Sequence, residues 1–206
     1  RAHHAHGRGR CRSVDYNTVI MDQPDNFLHP ERIIGLLEIQ KSSVIADFGA
    51  GHGYFTIPLA RATGPDGRVY AIEIQKAGLT VIRTKAKLEH LLHIELVWAD
   101  LDRPNGSQLK EASVDLVLMA NILFQSDKKS DIVQEAHRVL KPGALALVIE
   151  WKPVPTGRQA GEPLFGPPVS VRVSAETVQK TTSHIGFAFQ HEIPVGSHHY
   201  GLIFKK

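Results

Sequence analysis

The stretch Val44–Phe55 constrains this chain more than any other, because it joins a short apolar run, one acid and three glycines at alternate positions. Val44, Ile45 and Ala46 read as a buried strand, Asp47 lies at its end, and Gly49, Gly51 and Gly53 lead into a helix-like segment. Glycine is required where the chain takes a positive φ or where a ligand lies against bare backbone, and this spacing predicts both. A strand, a tight turn and a helix start in that order suit a nucleotide-like ligand.

The alternation continues along the chain. Strands are predicted near 44–48, 68–74, 94–98, 114–119 and 144–150, with helices near 54–63, 76–91 and 127–140 between them. Gly64-Pro65-Asp66-Gly67 and Pro104-Asn105-Gly106 mark turns, and a further helix begins near Pro30, a residue suited to a first helical turn. Strands alternating with helices imply a parallel sheet, and right-handed crossovers make it one doubly wound sheet. Pro142-Gly143 is expected to stop the helix before the fifth strand, since proline cannot continue the hydrogen-bond ladder and glycine tolerates a left-handed turn. After a proline- and glycine-rich stretch from Pro153 to Pro168, a helix near 174–185 leads to Phe187–Ile193 and Tyr200–Phe204. These last two runs read as an antiparallel hairpin at the sheet edge.

The glycine spacing also separates cofactors. A dinucleotide fingerprint needs a third glycine where helix and strand pack closely, and that position here is Tyr54. Asp47 puts a negative charge beside the loop, which opposes a pyrophosphate and suits a ligand carrying an ammonium and a sulfonium, as S-adenosylmethionine does. Glu73 closes the second apolar run 20 residues after Gly53, where a carboxylate can accept hydrogen bonds from both ribose hydroxyls.

From Val44 to Phe55 the chain resembles the first motif of class I S-adenosylmethionine-dependent methyltransferases, and Arg138-Val139-Leu140-Lys141-Pro142-Gly143 resembles their turn into the fifth strand. The resemblance covers roughly residues 30 to 206 and looks most like the group that includes the ubiquinone and menaquinone biosynthesis methyltransferases. It implies an α/β, Rossmann-like three-layer sandwich with a seven-stranded, mostly parallel sheet and an antiparallel last strand. It also implies S-adenosyl-L-methionine as cofactor and S-adenosyl-L-homocysteine as product. The cofactor contacts it implies are Asp47, Gly49, Ala50, Gly51, His52, Gly53, Glu73, Ile74, Asp100, Leu101 and Asn121. In that family an acid after the third strand lies against the adenine amino group; Asp100 and Asp102 both compete for this place.

Length and composition fit one domain over residues 29–206, preceded by a basic, His-rich segment, 1–28, that is expected to be flexible in part. A chain of 206 residues with 42% apolar and 22% charged content is ordinary for a globular protein. No apolar stretch is long enough to span a bilayer, and no leader pattern appears at the start. The single cysteine, Cys11, excludes an internal disulfide framework and favours a reducing, cytoplasmic setting. A net charge of +3 is no nucleic-acid signature, although Arg1, Arg8, Arg10 and Arg12 crowd the N-terminus with His3, His4 and His6. Histidines on such a segment have no fixed geometry, and no metal site is expected.

In-line displacement at a methyl carbon needs alignment and exclusion of water more than a dedicated group, so the catalytic residues are not legible. Asn121, after the fourth strand, and Tyr16, in the N-terminal segment, are the weak candidates. Ile122, Leu123 and Phe124 read as an apolar wall, and Trp151 as a closure of the substrate pocket. His137, His198 and His199 read as packing residues, and Lys85, Lys87 and Glu89 as solvated surface. Short, partly apolar lids favour a small-molecule methyl acceptor. An RNA or protein acceptor, helped by the basic segment, and a binding module without catalysis are the alternatives; a dehydrogenase is disfavoured by Tyr54 and Asp47. Oligomeric state has no sequence signal.

Overall fold

The computed structural model describes residues 27–154 and 165–206. Seven strands form one sheet: β1 (Val44–Phe48), β2 (Arg68–Glu73), β3 (Ile94–Trp98), β4 (Val114–Ala120), β5 (Leu140–Trp151), β6 (Ala188–Ile193) and β7 (His199–Lys205). Their order is β3-β2-β1-β4-β5-β7-β6. β1 pairs in parallel with β2 and β4, β2 with β3, and β4 with β5. β7 enters antiparallel between β5 and β6, so the hairpin expected at the edge is present and its second strand lies inside the sheet.

Among the described residues, five α-helices cover the two faces: α1 (Pro30–Gly35), α2 (Thr56–Thr63), α3 (Lys76–Leu88), α4 (Lys129–Val139) and α5 (Ala175–Ile185). Along each strand the period of two sends alternate residues to opposite faces. Ile45, Val69, Leu118 and Ile149 meet Ile33, Phe55 and Leu59 beneath α1 and α2. On the other face Phe48, Val117, Met119 and Val148 meet Ile132, Ala136 and Val178 of α4 and α5. Phe48 and Phe204 are fully buried, and burial of side chains this size stabilises by about 2–3 kcal/mol each. α5 starts where Ser174 accepts the Thr177 N–H and stops at Gly186, which takes the left-handed conformation with φ 112°.

Pro142-Gly143 does not end the preceding helix as expected. α4 stops at Val139, and Leu140 is already extended and paired with Val114. Pairing with β4 ends the helix before the proline is reached, and Pro142-Gly143 instead occupies a register shift between Val114 and Leu116, with the Gly143 N–H donating to the Lys206 carbonyl. The fifth strand is correspondingly longer than its apolar run.

Candidate functional site

The carboxyl ends of β1 to β4 open onto a cleft of about 490 Å³, the place where open α/β sheets bind ligands. Gly49, Gly51, His52, Glu73, Ile74, Asp100, Leu101 and Asn121 line it, joined by Gln75, Gly78, Asp102, Ile122, Gln125 and Ser126.

Its centre is the pairing of the glycine loop with the end of β2. The Gly49 and Ala50 N–H groups both donate to the Ile72 carbonyl at 2.9 and 3.0 Å, which swings the chain off β1. Gly49 and Gly51 have φ of 73° and 53°, values that side chains other than glycine's rarely accept. Gly51 donates its N–H to Glu73 Oε2 at 2.8 Å, and the Gln75 N–H donates to Glu73 Oε1 at 2.8 Å. The carboxylate is thus fixed from both sides, with a further lone pair on each oxygen for a ligand's hydroxyl groups. A Cβ built on Gly51 would meet nothing within 4 Å, so the bare backbone faces open space. On Gly78, in the first turn of α3, a Cβ would come within 2.3 Å of the Gly51 carbonyl. Glycine there lets helix and loop touch.

The remaining walls come from β3 and from the turn after β4. Asp100 accepts from the Asp102 N–H and the Arg103 Nε–H, both at 3.0 Å, while Asp102 accepts the Ser126 hydroxyl at 2.6 Å. Both acids line the cleft. Asn121 has φ 56°, donates its N–H to the Ile149 carbonyl, and keeps a buried side-chain oxygen without a hydrogen-bond partner. Ile122 packs over Gly49, whose added Cβ would lie 2.7 Å from Ile122 Cδ1. Trp98 donates Nε1–H to the Ile74 carbonyl at 2.8 Å, and Lys76 Nζ lies 3.8 Å from its ring centre, pinning the turn behind Glu73.

Residues 45–143 match the family model described as a methyltransferase domain. The matched segment holds the glycine loop, Glu73 and the turn after β4, which together form the cleft. It is 30% identical over 116 residues to the demethylmenaquinone methyltransferase of Geobacillus stearothermophilus, a match covering 55% of this chain and 47% of that protein. The chain spans about half the length of the curated relatives it matches. Among solved structures, a S-adenosylmethionine-dependent methyltransferase from Aquifex aeolicus superposes with TM-score 0.76 at 23% identity, covering 87% of this chain and 90% of its own. The [4+2]-cyclase SpnF does so with TM-score 0.70 at 15% identity, over 85% and 80% of the two chains.

Within the matched segment, three residues of the expected contact set stand behind the cleft rather than on it. Asp47 is 2% exposed and accepts the Thr56 hydroxyl at 2.6 Å, anchoring the start of α2. Burial pushes its carboxyl up to about 7, the Thr56 hydrogen bond opposes this, and the Glu73 charge adds to it. Ala50 packs with Ala71, Leu79 and Ile82. Gly53 donates its N–H to the Ala50 carbonyl and fits against Ile82. Their place in the motif reflects how the loop is held.

Trp151 departs from the expected pocket closure. Its ring stacks on His199 at 4.0 Å between centroids and meets Arg172, away from the cleft lining. His199 is 3% exposed, neither ring nitrogen has a hydrogen-bond partner, and burial first, then the His198 charge, lower it to about 4. His137 packs edge-on against Phe187, as a packing residue should. Lys85 is more than solvated surface, since it donates to the His52 carbonyl at 2.9 Å. Tyr16, Cys11 and the N-terminal basic segment lie outside the described residues. Among the described residues no cluster of His, Cys, Asp or Glu could hold a metal ion, and no helix is long and apolar enough to cross a membrane.

Gly78, Gln125 and Ser126 went unread because each reaches the cleft through a contact distant in sequence. For Gly78 the signal was a glycine three residues into a helix, a costly choice unless something passes close by.

Proposed function

We propose that this chain is an S-adenosylmethionine-dependent methyltransferase whose acceptor is a small organic molecule. The observation that carries the reading is the Glu73 carboxylate locked between the Gly51 and Gln75 N–H groups, at the mouth of a cleft with a bare glycine wall. That donor set fits a nucleoside. Glu73 would take the ribose hydroxyls, the Gly49 to Gly51 backbone would lie against the methionine portion, and Asp100 or Asp102 would face the adenine amino group. The bound cofactor supplies an electrophilic methyl group.

The chain's own residues position and shield. Ile72, Leu101, Ile122 and Ile132 line the cleft with apolar surface, which excludes water from the transfer path. Asn121, with its unpartnered buried oxygen, can accept one hydrogen bond from a donor on the ligand side. No general base is needed where the acceptor is already a good nucleophile. The name of the Geobacillus relative supports an aromatic small molecule of the demethylmenaquinone kind as acceptor. A domain over 29–206 and a cytoplasmic setting belong to the same reading.

The test is calorimetric titration with S-adenosylmethionine, S-adenosylhomocysteine and NAD on the wild type and on Glu73→Ala, followed by an acceptor panel scored by S-adenosylhomocysteine release. Saturable binding of both sulfur nucleosides, lost in the variant, supports the site; binding without turnover on any acceptor favours the non-catalytic module. Turnover only on RNA or protein would replace the small-molecule acceptor. No binding of either nucleoside refutes the reading.

A further inference from the structure

Glu150 ends β5 next to the cleft, yet its side chain is entirely buried. One carboxylate oxygen accepts the Leu123 N–H at 2.6 Å, and the neighbouring amides of Ile122 and Phe124 add a favourable field at the carboxylate. The other oxygen is buried without a hydrogen-bond partner. Leu123 opens the turn that follows β4, a single 3-10 turn over Leu123–Gln125 that no side-chain cap closes. The same short segment supplies the cleft with Asn121, Ile122, Gln125 and Ser126. Asn121 sits in the left-handed region, which costs a residue with a Cβ about 1–2 kcal/mol. Something must hold this segment in place. The contact made by the Glu150 carboxylate spans 27 residues of sequence and satisfies a Leu123 amide that would otherwise be a buried donor.

We propose that Glu150 is the positioning residue of this wall: its carboxylate takes the Leu123 amide at the centre of the turn and so holds Asn121, Ile122 and Gln125 where they face a bound nucleoside. The inference rests on the methyltransferase reading for the identity of that ligand. A carboxylate accepts such amides about twice as strongly as a neutral group does, so the wall tightens when Glu150 is ionised. Burial pushes the acid up to about 7, against the opposing pull of the Leu123 amide first, then of the nearby Phe124 and Ile122 amides and of Lys129 on α4. Tyr200 of β7 stands beside it in register, its own ionisation pushed up first by burial and then by the Glu150 charge. The sign follows: above about pH 7 the ionised acid holds the wall, and below it the neutral acid releases it.

The experiment measures S-adenosylhomocysteine affinity by calorimetry at pH 8 and pH 6 for the wild type, Glu150→Gln and Glu150→Leu, with amide hydrogen exchange over residues 121–126. The wild type is expected to bind several-fold to about tenfold more weakly at pH 6, the range set by the fraction ionised. Glu150→Gln is expected to bind about tenfold more weakly at pH 8, to lose most of that pH dependence, and to melt no lower than the wild type. Glu150→Leu should be weaker again. Wild-type affinity in Glu150→Gln at pH 8, or an unchanged pH profile, overturns the proposal. Should the wild type bind no sulfur nucleoside, the methyltransferase reading fails on its own, and exchange decides the positioning role. A slow Leu123 amide that quickens in Glu150→Gln supports it, and unchanged exchange overturns it.

Discussion

Replacing Asp47 by asparagine should stabilise the domain at pH 8 and change its stability little at pH 5. The wild-type carboxyl is 2% exposed, and its value rises from 3.8 to about 7 on folding, chiefly through burial. An acid raised in this way favours the fold while it is protonated. Its contribution is intact below the unfolded value of 3.8 and is lost as pH climbs through about 7. At about 1.36 kcal/mol per unit, the ionised form costs about 4 kcal/mol at pH 8 and about 1.7 kcal/mol at pH 5. Asparagine cannot ionise and can still accept the Thr56 hydroxyl, although its buried amide hydrogens cost about 1–3 kcal/mol if left unpaired. That last term is the same at both pH values. The change in stability on substitution should therefore be more favourable at pH 8 than at pH 5 by about 2–3 kcal/mol, or a melting shift larger by roughly 5–10 °C. Urea unfolding of both proteins at the two pH values measures it directly. Equal effects at pH 5 and pH 8 would show that Asp47 is not a strained buried acid.

Other substitutions probe separate parts of the molecule. Glu73→Ala should weaken S-adenosylhomocysteine binding by tenfold or more in a calorimetric titration, because it removes the ribose acceptor and frees the Gly51 amide together. Gly78→Ala should cost about 1–3 kcal/mol in urea unfolding, since the new methyl would lie 2.3 Å from the Gly51 carbonyl and the loop must shift; nucleoside affinity should fall with it. His199 is buried neutral, lowered from 6.5 to about 4, so the wild type should lose stability as pH falls through that interval. His199→Phe, kept against Trp151, should flatten that loss by about 1–3 kcal/mol between pH 7 and pH 4.5.

The sheet and the cleft's centre were legible because their signals are local. An apolar run closed by an acid, followed by glycines, specifies a strand and a loop within a dozen residues. The distance from Gly53 to Glu73 then places the carboxylate one strand away. Glu150 was not legible, since nothing near it in sequence says that the amides of Ile122 to Phe124 arrive beside it; that follows from β4 pairing with β5. Asp47 shows the converse. Its motif position was read correctly, but whether its side chain faces the ligand or Thr56 depends on which way the end of β1 points. Pro142-Gly143 misled because propensity there yields to pairing: Leu140 joins Val114 before the proline can act.

The insertion of β7 between β5 and β6 has a consequence for how the chain emerges from the ribosome. β5 is completed well before its outer neighbour exists, and the chain must still be extended through α5 and β6 before β7 can pair. Until then the outer edge of Leu145–Trp151 offers an open row of amides and carbonyls on an apolar strand, the kind of edge on which nascent chains associate. A truncation that spares the whole cleft but removes β7 would thus yield a protein limited by aggregation rather than by chemistry.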